Sequence, residues 1–169
     1  MDINTQMTSI ATSSKSCETI LFDLIDECTR DLDNYVANIS QNFSNIAIVD
    51  NSTLDNFILN IPILIYYANT RLERLGLKSD LSSIERKKQI ADKMTTLNIK
   101  NKSDRQIASE IESLDIVILN DICERAYKVV KSKIDTAYEI LASCKKIMSR
   151  RIEELKTERS DTNRQTLHS

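Results

Sequence analysis

Glycine and proline each occur only once in this chain, at Gly76 and Pro62. Tight turns depend on these two residues: glycine reaches positive φ freely, and proline presets φ for the first turn position. A β-rich domain of 169 residues would need many such turns. Their near absence predicts few connections and long helices. The fold class expected is all-α, with long amphipathic antiparallel helices in an elongated helical hairpin or bundle. Long amphipathic helices cannot bury their apolar stripes inside a compact globule, so they lie on each other or on neighbouring chains. The chain is therefore expected to be a homo-oligomer.

Apolar periodicity sets the helix boundaries. Residues 1–15 are rich in Ser and Thr and show no period, and are expected to be a disordered N-terminal arm. A single all-helical domain is expected over 16–158. Its first helix, over about 16–46, places Leu21, Ile25, Cys28, Leu32, Tyr35, Ile39, Phe43 and Ile46 on one face. Ser52-Thr-Leu-Asp55 has the form of a capping box and opens a second helix over about 53–98. Leu54, Ile58, Ile61, Ile65, Ala68, Leu72 and Leu75 form its stripe, with Phe57, Leu64 and Tyr66 widening it. Pro62 should bend this helix or mark its true start. At Gly76 the apolar phase changes. The old stripe would run on through Ser79, Ser83 and Arg86, while Leu77, Leu81, Ile84 and Ala91 suggest a new apolar face. Either the helix breaks between 76 and 82, where Ser82-Ser-Ile-Glu85 is a second capping-box pattern, or it continues and turns a new face to a new partner. A polar linker, LNIKNKS, precedes a third such pattern, Ser103-Asp-Arg-Gln106. This opens a long helix over about 104–158, divided by a kink near Ser113. Its stripe is Leu119, Cys123, Ala126, Val130, Ile134, Ala137, Leu141, Cys144, Met148, Ile152 and Leu155. Residues 159–169 form a polar tail.

Chemistry is sparse in this sequence. The single histidine, His168, lies in the tail, leaving no histidine for acid–base work. No glycine-rich loop could cradle a phosphate. The four cysteines, Cys17, Cys28, Cys123 and Cys144, form no CxxC pair and fall at or near apolar helical positions, as reduced thiols packed like small hydrophobes would. The chain is expected not to be an enzyme and to need no cofactor or metal. No run of roughly 18 apolar residues is present, so no membrane span or membrane partner is expected. The opening residues also lack the basic-then-apolar layout of a signal peptide, and the expected location is the cytoplasm.

Charge is distributed unevenly. Residues 1–60 carry nine acids and two bases, residues 78–105 eight bases and four acids, and residues 121–159 ten bases and seven acids. The stretch SSIERKKQIADKM lies in the middle basic region. Arg86, Lys93 and Lys100 are spaced by seven and share a helical line if the helix extends that far, with Lys88 beside them and Lys102 and Arg105 following. Such a cluster could neutralise phosphates with release of counterions, or it could be an ordinary solvated helix face. Tyr67 is the tyrosine expected to point outward for base stacking. A second cluster, Lys145, Lys146, Arg150 and Arg151, suits a helix C-terminal dipole or a contact to the acidic first helix of a neighbouring copy.

The local pattern IERKKQIADK resembles an I-E-x-x-K-x-V-A-x-K stretch of the phage UvsY-like recombination mediator family. Ile84, Glu85, Lys88, Ile90, Ala91 and Lys93 carry the match, and ASCKKIMSRRIEEL is similar in character to that family's closing helix. The likeness covers about 55–158. Thr95 stands where the family carries a second basic residue. The resemblance implies a phage-type mediator, in the host cytoplasm, that binds single-stranded DNA and helps load a recombinase. It implies a homo-oligomeric ring, with a recombinase and a single-strand-binding protein as partners, and Lys93 as a DNA-backbone contact. The nucleic-acid-binding set expected is Arg86, Lys88, Lys93, Lys100, Lys102 and Arg105. The alternative is a non-catalytic virion or assembly-scaffold helical protein without nucleic-acid binding.

Overall fold

The computed structural model describes the backbone of residues 3–43 and 49–166, and the side chains of 15–42 and 49–159. Four helices follow in order: α1 (Ile3–Phe43), α2 (Asn51–Thr96), α3 (Lys102–Glu112) and α4 (Leu114–Thr166), with no strand among the described residues. The fold is all-α. α1 starts at Ile3, inside the stretch of 1–15 expected as a disordered arm. That stretch has no glycine or proline to stop a helix, and propagation back from a formed helix is far easier than nucleation. Phe43 ends α1, and Ile46, expected on its stripe, lies outside the described residues.

α2 runs unbroken through Pro62 and Gly76. Pro62 is neither its start nor its end. Its ring sits on the exposed side, so the helical hydrogen bond it removes is lost where water can replace it. Gly76 has no positive φ and so does not form a C-cap. The real N-cap is Asp50, whose Oδ1 accepts from the Thr53 N–H at 2.7 Å and from the Ser52 hydroxyl at 2.9 Å. These bonds, the backbone one foremost, hold the Asp50 carboxyl below its ordinary value. The cap of α3 is likewise Asn101, whose side chain accepts from the Ser103 N–H at 3.1 Å. In both places the capping residue lies two positions before the serine of the expected box. The boundary expected near Ser113 is present: Ser113 leaves helical geometry at φ −110° and ψ 22°, while its N–H still bonds to Ser109 and Glu110 carbonyls.

Contacts divide the chain into two units, and α1, α2 and α4 each contribute a segment to both. One unit comprises residues 1–30 and 68–132. Its core is Ile25, Cys28, Ala68, Leu72, Leu75, Cys123, Ala126 and Val130. Within it α2 and α4 contact each other: Gly76 lies against Tyr127, and Arg86 pairs with Asp121. The core of this unit turns polar towards the end of α2. Ser82 and Asn120 are buried, and the single Ser82 hydroxyl proton is shared between Asn120 Oδ1 at 3.2 Å and the Ser79 carbonyl at 2.8 Å. The Asn120 amide donates to Glu124 at 3.0 Å.

The other unit comprises residues 31–67 and 133–169. Leu32, Ile39, Val49, Leu54, Phe57, Ile61, Ile65, Ile134, Ala137, Leu141 and Cys144 form its core. Tyr35 donates to the Asn56 carbonyl at 3.1 Å and meets Phe57 edge-on at 6.0 Å between ring centroids. Lys133 and Asp33 pair at 2.5 Å. Full burial of a side chain such as Ile61 stabilises by about 1.5–3 kcal/mol.

Candidate functional site

The basic residues expected to form a nucleic-acid surface all lie in the unit of residues 68–132. α2 carries Arg86, Lys88 and Lys93, whereas Lys100 falls in the connection after α2 ends at Thr96. Lys100 is thus not on the helical line of Arg86 and Lys93, and the row of three is not formed. Lys102 opens α3, and Arg105 follows one turn later.

Three of the six candidates contact their own chain. Arg86 Nη1 stands 3.6 Å from Asp121 Oδ1, and Lys93 Nζ 3.2 Å from Glu112 Oε2. Arg105 donates through Nε to the Ile99 carbonyl at 2.8 Å, and through Nη2 to the same oxygen. Arg105 therefore closes the connection between α2 and α3. Lys88, Lys100 and Lys102 are exposed, as is Lys87.

The fold also changes the local charge. Residues 78–105 carry four more bases than acids, but residues 106–124 bring back Glu110, Glu112, Asp115, Asp121 and Glu124 with no base among them. The sum over 78–124 is +4 − 5 = −1. Two of these acids, Glu112 and Asp121, are the partners of Lys93 and Arg86. These exposed pairs are worth little to stability, but they lower the positive potential of the helix face.

The second basic cluster has a structural role in the other unit. Arg151 Nη1 donates to the Val49 carbonyl at 2.6 Å and to Asn51 Oδ1 at 2.9 Å, tying α4 to the start of α2. Arg150 pairs with Glu154 one turn on at 3.1 Å. Lys145 and Lys146 are exposed. Tyr67 faces outward as expected, but so do Tyr66 and Tyr138, at 68% and 50% exposure. Tyr66 was expected to widen the buried stripe. Instead it packs edge-on against Tyr67, 5.6 Å between centroids.

Burial raises the thiols of Cys28, Cys123 and Cys144 above their ordinary value, which favours their protonated form. No group of three His, Cys, Asp or Glu suited to a metal occurs among the described residues. No helix among them is long and apolar enough to cross a membrane. Open grooves line the helix junctions, such as one of about 590 Å³ beside Gly76, Leu77 and Tyr127, which Glu73, Asp80, Glu124 and Lys128 also line.

Of the two alternatives open at Gly76, the helix continues. Leu77, Leu81 and Ile84, the new apolar face, are 60%, 56% and 62% exposed. The buried phase instead continues from Leu75 through Ser82, with Ser79, Ser83 and Arg86 half-buried. α2 thus carries an unpartnered apolar stripe opposite its core face. The signal was present in the spacing, because both stripes fit one unbroken helix. No family model, curated protein or solved structure matches the chain.

Proposed function

We propose that this chain is a non-catalytic helical assembly protein that acts by docking its outer helix faces, first of all on copies of itself. The observation carrying this reading is the outward stripe of Leu77, Leu81 and Ile84, which leaves three large aliphatic side chains in water on one helix face. Contiguous exposed apolar surface of this kind marks an interaction site more often than chance exposure of single residues does. Light scattering across a dilution series tests the proposal. A mass above the 19.3 kDa of one chain is expected, falling on dilution. A strict monomer at roughly 100 μM, where even weak interfaces are occupied, refutes it.

A second reading adds a ligand. Lys87, Lys88, Lys100 and Lys102 are exposed in one unit, and a strand of DNA is the ligand implied by the resemblance to phage recombination mediators. Such a protein would hold single-stranded DNA while a recombinase loads. Its test is titration of labelled single-stranded DNA at low and moderate salt. Micromolar binding that weakens as salt rises, and again on Lys100→Ala with Lys102→Ala, supports it. No binding at low salt removes it.

A further inference from the structure

The stripe on α2 has a repeat as well as an apolar character. Leu77, Leu81, Ile84, Lys88 and Ala91 follow one another by alternating steps of four and three, the spacing of a coiled-coil seam. The seam lies on the side of α2 away from Leu75 and Ser82. Lys78 and Glu85 flank it on one side, Asp80 and Lys87 on the other. Lys78, Asp80 and Lys87 are exposed and Glu85 is half-buried.

We infer that this face docks on the same face of a second copy, antiparallel, about a two-fold axis passing between Ser82 and Ser83. In that register Leu81 of one copy packs on Ile84 of the other, and Ile84 on Leu81. Leu77 lies under the aliphatic stem of Lys88 of the second copy, whose ammonium reaches water. Lys78 then faces Glu85 of the second copy, and Asp80 faces Lys87. By symmetry each pair occurs twice, and no like charges oppose each other from Lys78 to Lys87.

The neighbouring arrangements are worse. A shift of one heptad in one direction sets Lys78 against Lys78 and Asp80 against Asp80. The opposite shift sets Glu85 against Glu85 and Lys87 against Lys87. A parallel, in-register pair places Arg74 on Arg74 and Lys88 on Lys88 in the seam, and Asp80 beside Glu85. Charge thus selects one register and one direction for a face whose apolar residues alone would allow several. The paired stretch, from Arg74 to Ala91, is about 25 Å long at about 1.5 Å per residue. Such a short seam is expected to dissociate in the micromolar range.

This inference rests on the assembly reading and sharpens it to one surface. The test is sedimentation equilibrium on the full chain, with circular dichroism confirming helix content in each variant. The altered side chains point away from the core, so the fold should tolerate their replacement. Self-association of the unaltered chain is expected, weakened about tenfold by Lys78→Glu and by Glu85→Lys, because each change turns two attractions into repulsions. Either an equimolar mixture of those two variants or the double variant Lys78→Glu/Glu85→Lys should recover it. Leu81→Asp should abolish it. If the unaltered chain associates but neither single charge variant weakens it, or the mixture fails to recover, the register is wrong and the assembly reading stands. A chain that stays monomeric at roughly 100 μM overturns both.

Discussion

The buried pair of Ser82 and Asn120 makes a sharp prediction, because removing one partner should cost more than removing both. Asn120 is 1% exposed, and its Oδ1 accepts from the Ser82 hydroxyl at 3.2 Å. Ser82→Ala removes that donor and leaves a buried carbonyl oxygen that water cannot easily reach. The expected cost is about 1–2 kcal/mol. For a domain of this size it should appear as a fall in Tm of roughly 2–8 °C. Asn120→Leu is expected to cost less, since the Ser82 hydroxyl keeps its bond to the Ser79 carbonyl at 2.8 Å. Ser82→Ala with Asn120→Leu removes both polar partners and extends the apolar core. The double variant should be close to the unaltered protein in stability, so the two effects are strongly non-additive. Urea unfolding followed by circular dichroism measures all four corners of the cycle. Additive costs, or a Ser82→Ala variant as stable as the parent, would show that the two side chains do not satisfy each other in a dry core.

Further predictions concern other parts of the fold. Ile61→Ala should cost about 2–5 kcal/mol and Ile63→Ala far less in the same urea assay, because Ile61 is fully buried and Ile63 is 53% exposed on either side of Pro62. Gly76→Ala should stabilise modestly, by under about 1 kcal/mol, because the helix gains propensity while the half-buried Tyr127 ring, 3.2 Å from the new methyl, shifts slightly; a net loss would mean that the ring is fixed. Asp50 is held below its ordinary carboxyl value, so the support it gives α2 is complete above that value and is lost as pH falls through the depressed one; the stability gap between the parent and Asp50→Ala should close on acidification, and a gap independent of pH would contradict the charged cap. In a native thiol titration Cys17 should react first and Cys28, Cys123 and Cys144 only on unfolding; rapid reaction of all four would place the last three outside the core.

Legibility varied along the chain for physical reasons. From Cys123 to Cys144 the stripe residues of α4, namely Cys123, Ala126, Val130, Ile134, Ala137, Leu141 and Cys144, recur every three or four residues, and all seven are buried. At its ends the same periodicity misled: Leu119, Ile152 and Leu155 continue the stripe but are 43%, 45% and 47% exposed. The period fixes which face a residue occupies, and packing partners decide where burial stops. At Gly76 the local pattern left a break and a continuation both open, and the helix continues. There the inward positions hold Ser79 and Ser82, made tolerable by Asn120 from a helix more than thirty residues further on. Such a partner leaves no local trace. The partners of Arg86 and Lys93 leave as little local trace: the chain folds back to bring Asp121 and Glu112 beside them.

The junction at Ser113 has a consequence for how the molecule comes apart. α3 has eleven residues, too few for a helix to persist in water without tertiary contacts. The Ser113 hydroxyl is buried and makes no hydrogen bond among the described residues, so opening the junction would hydrate it at little cost. On the other side, Arg105 holds the connection through a single carbonyl, that of Ile99. From these features residues 97–113 are expected to open locally before the cores of α2 and α4. Amide exchange and proteolytic nicking would begin there, and the stability they report would belong to this flap rather than to the whole chain.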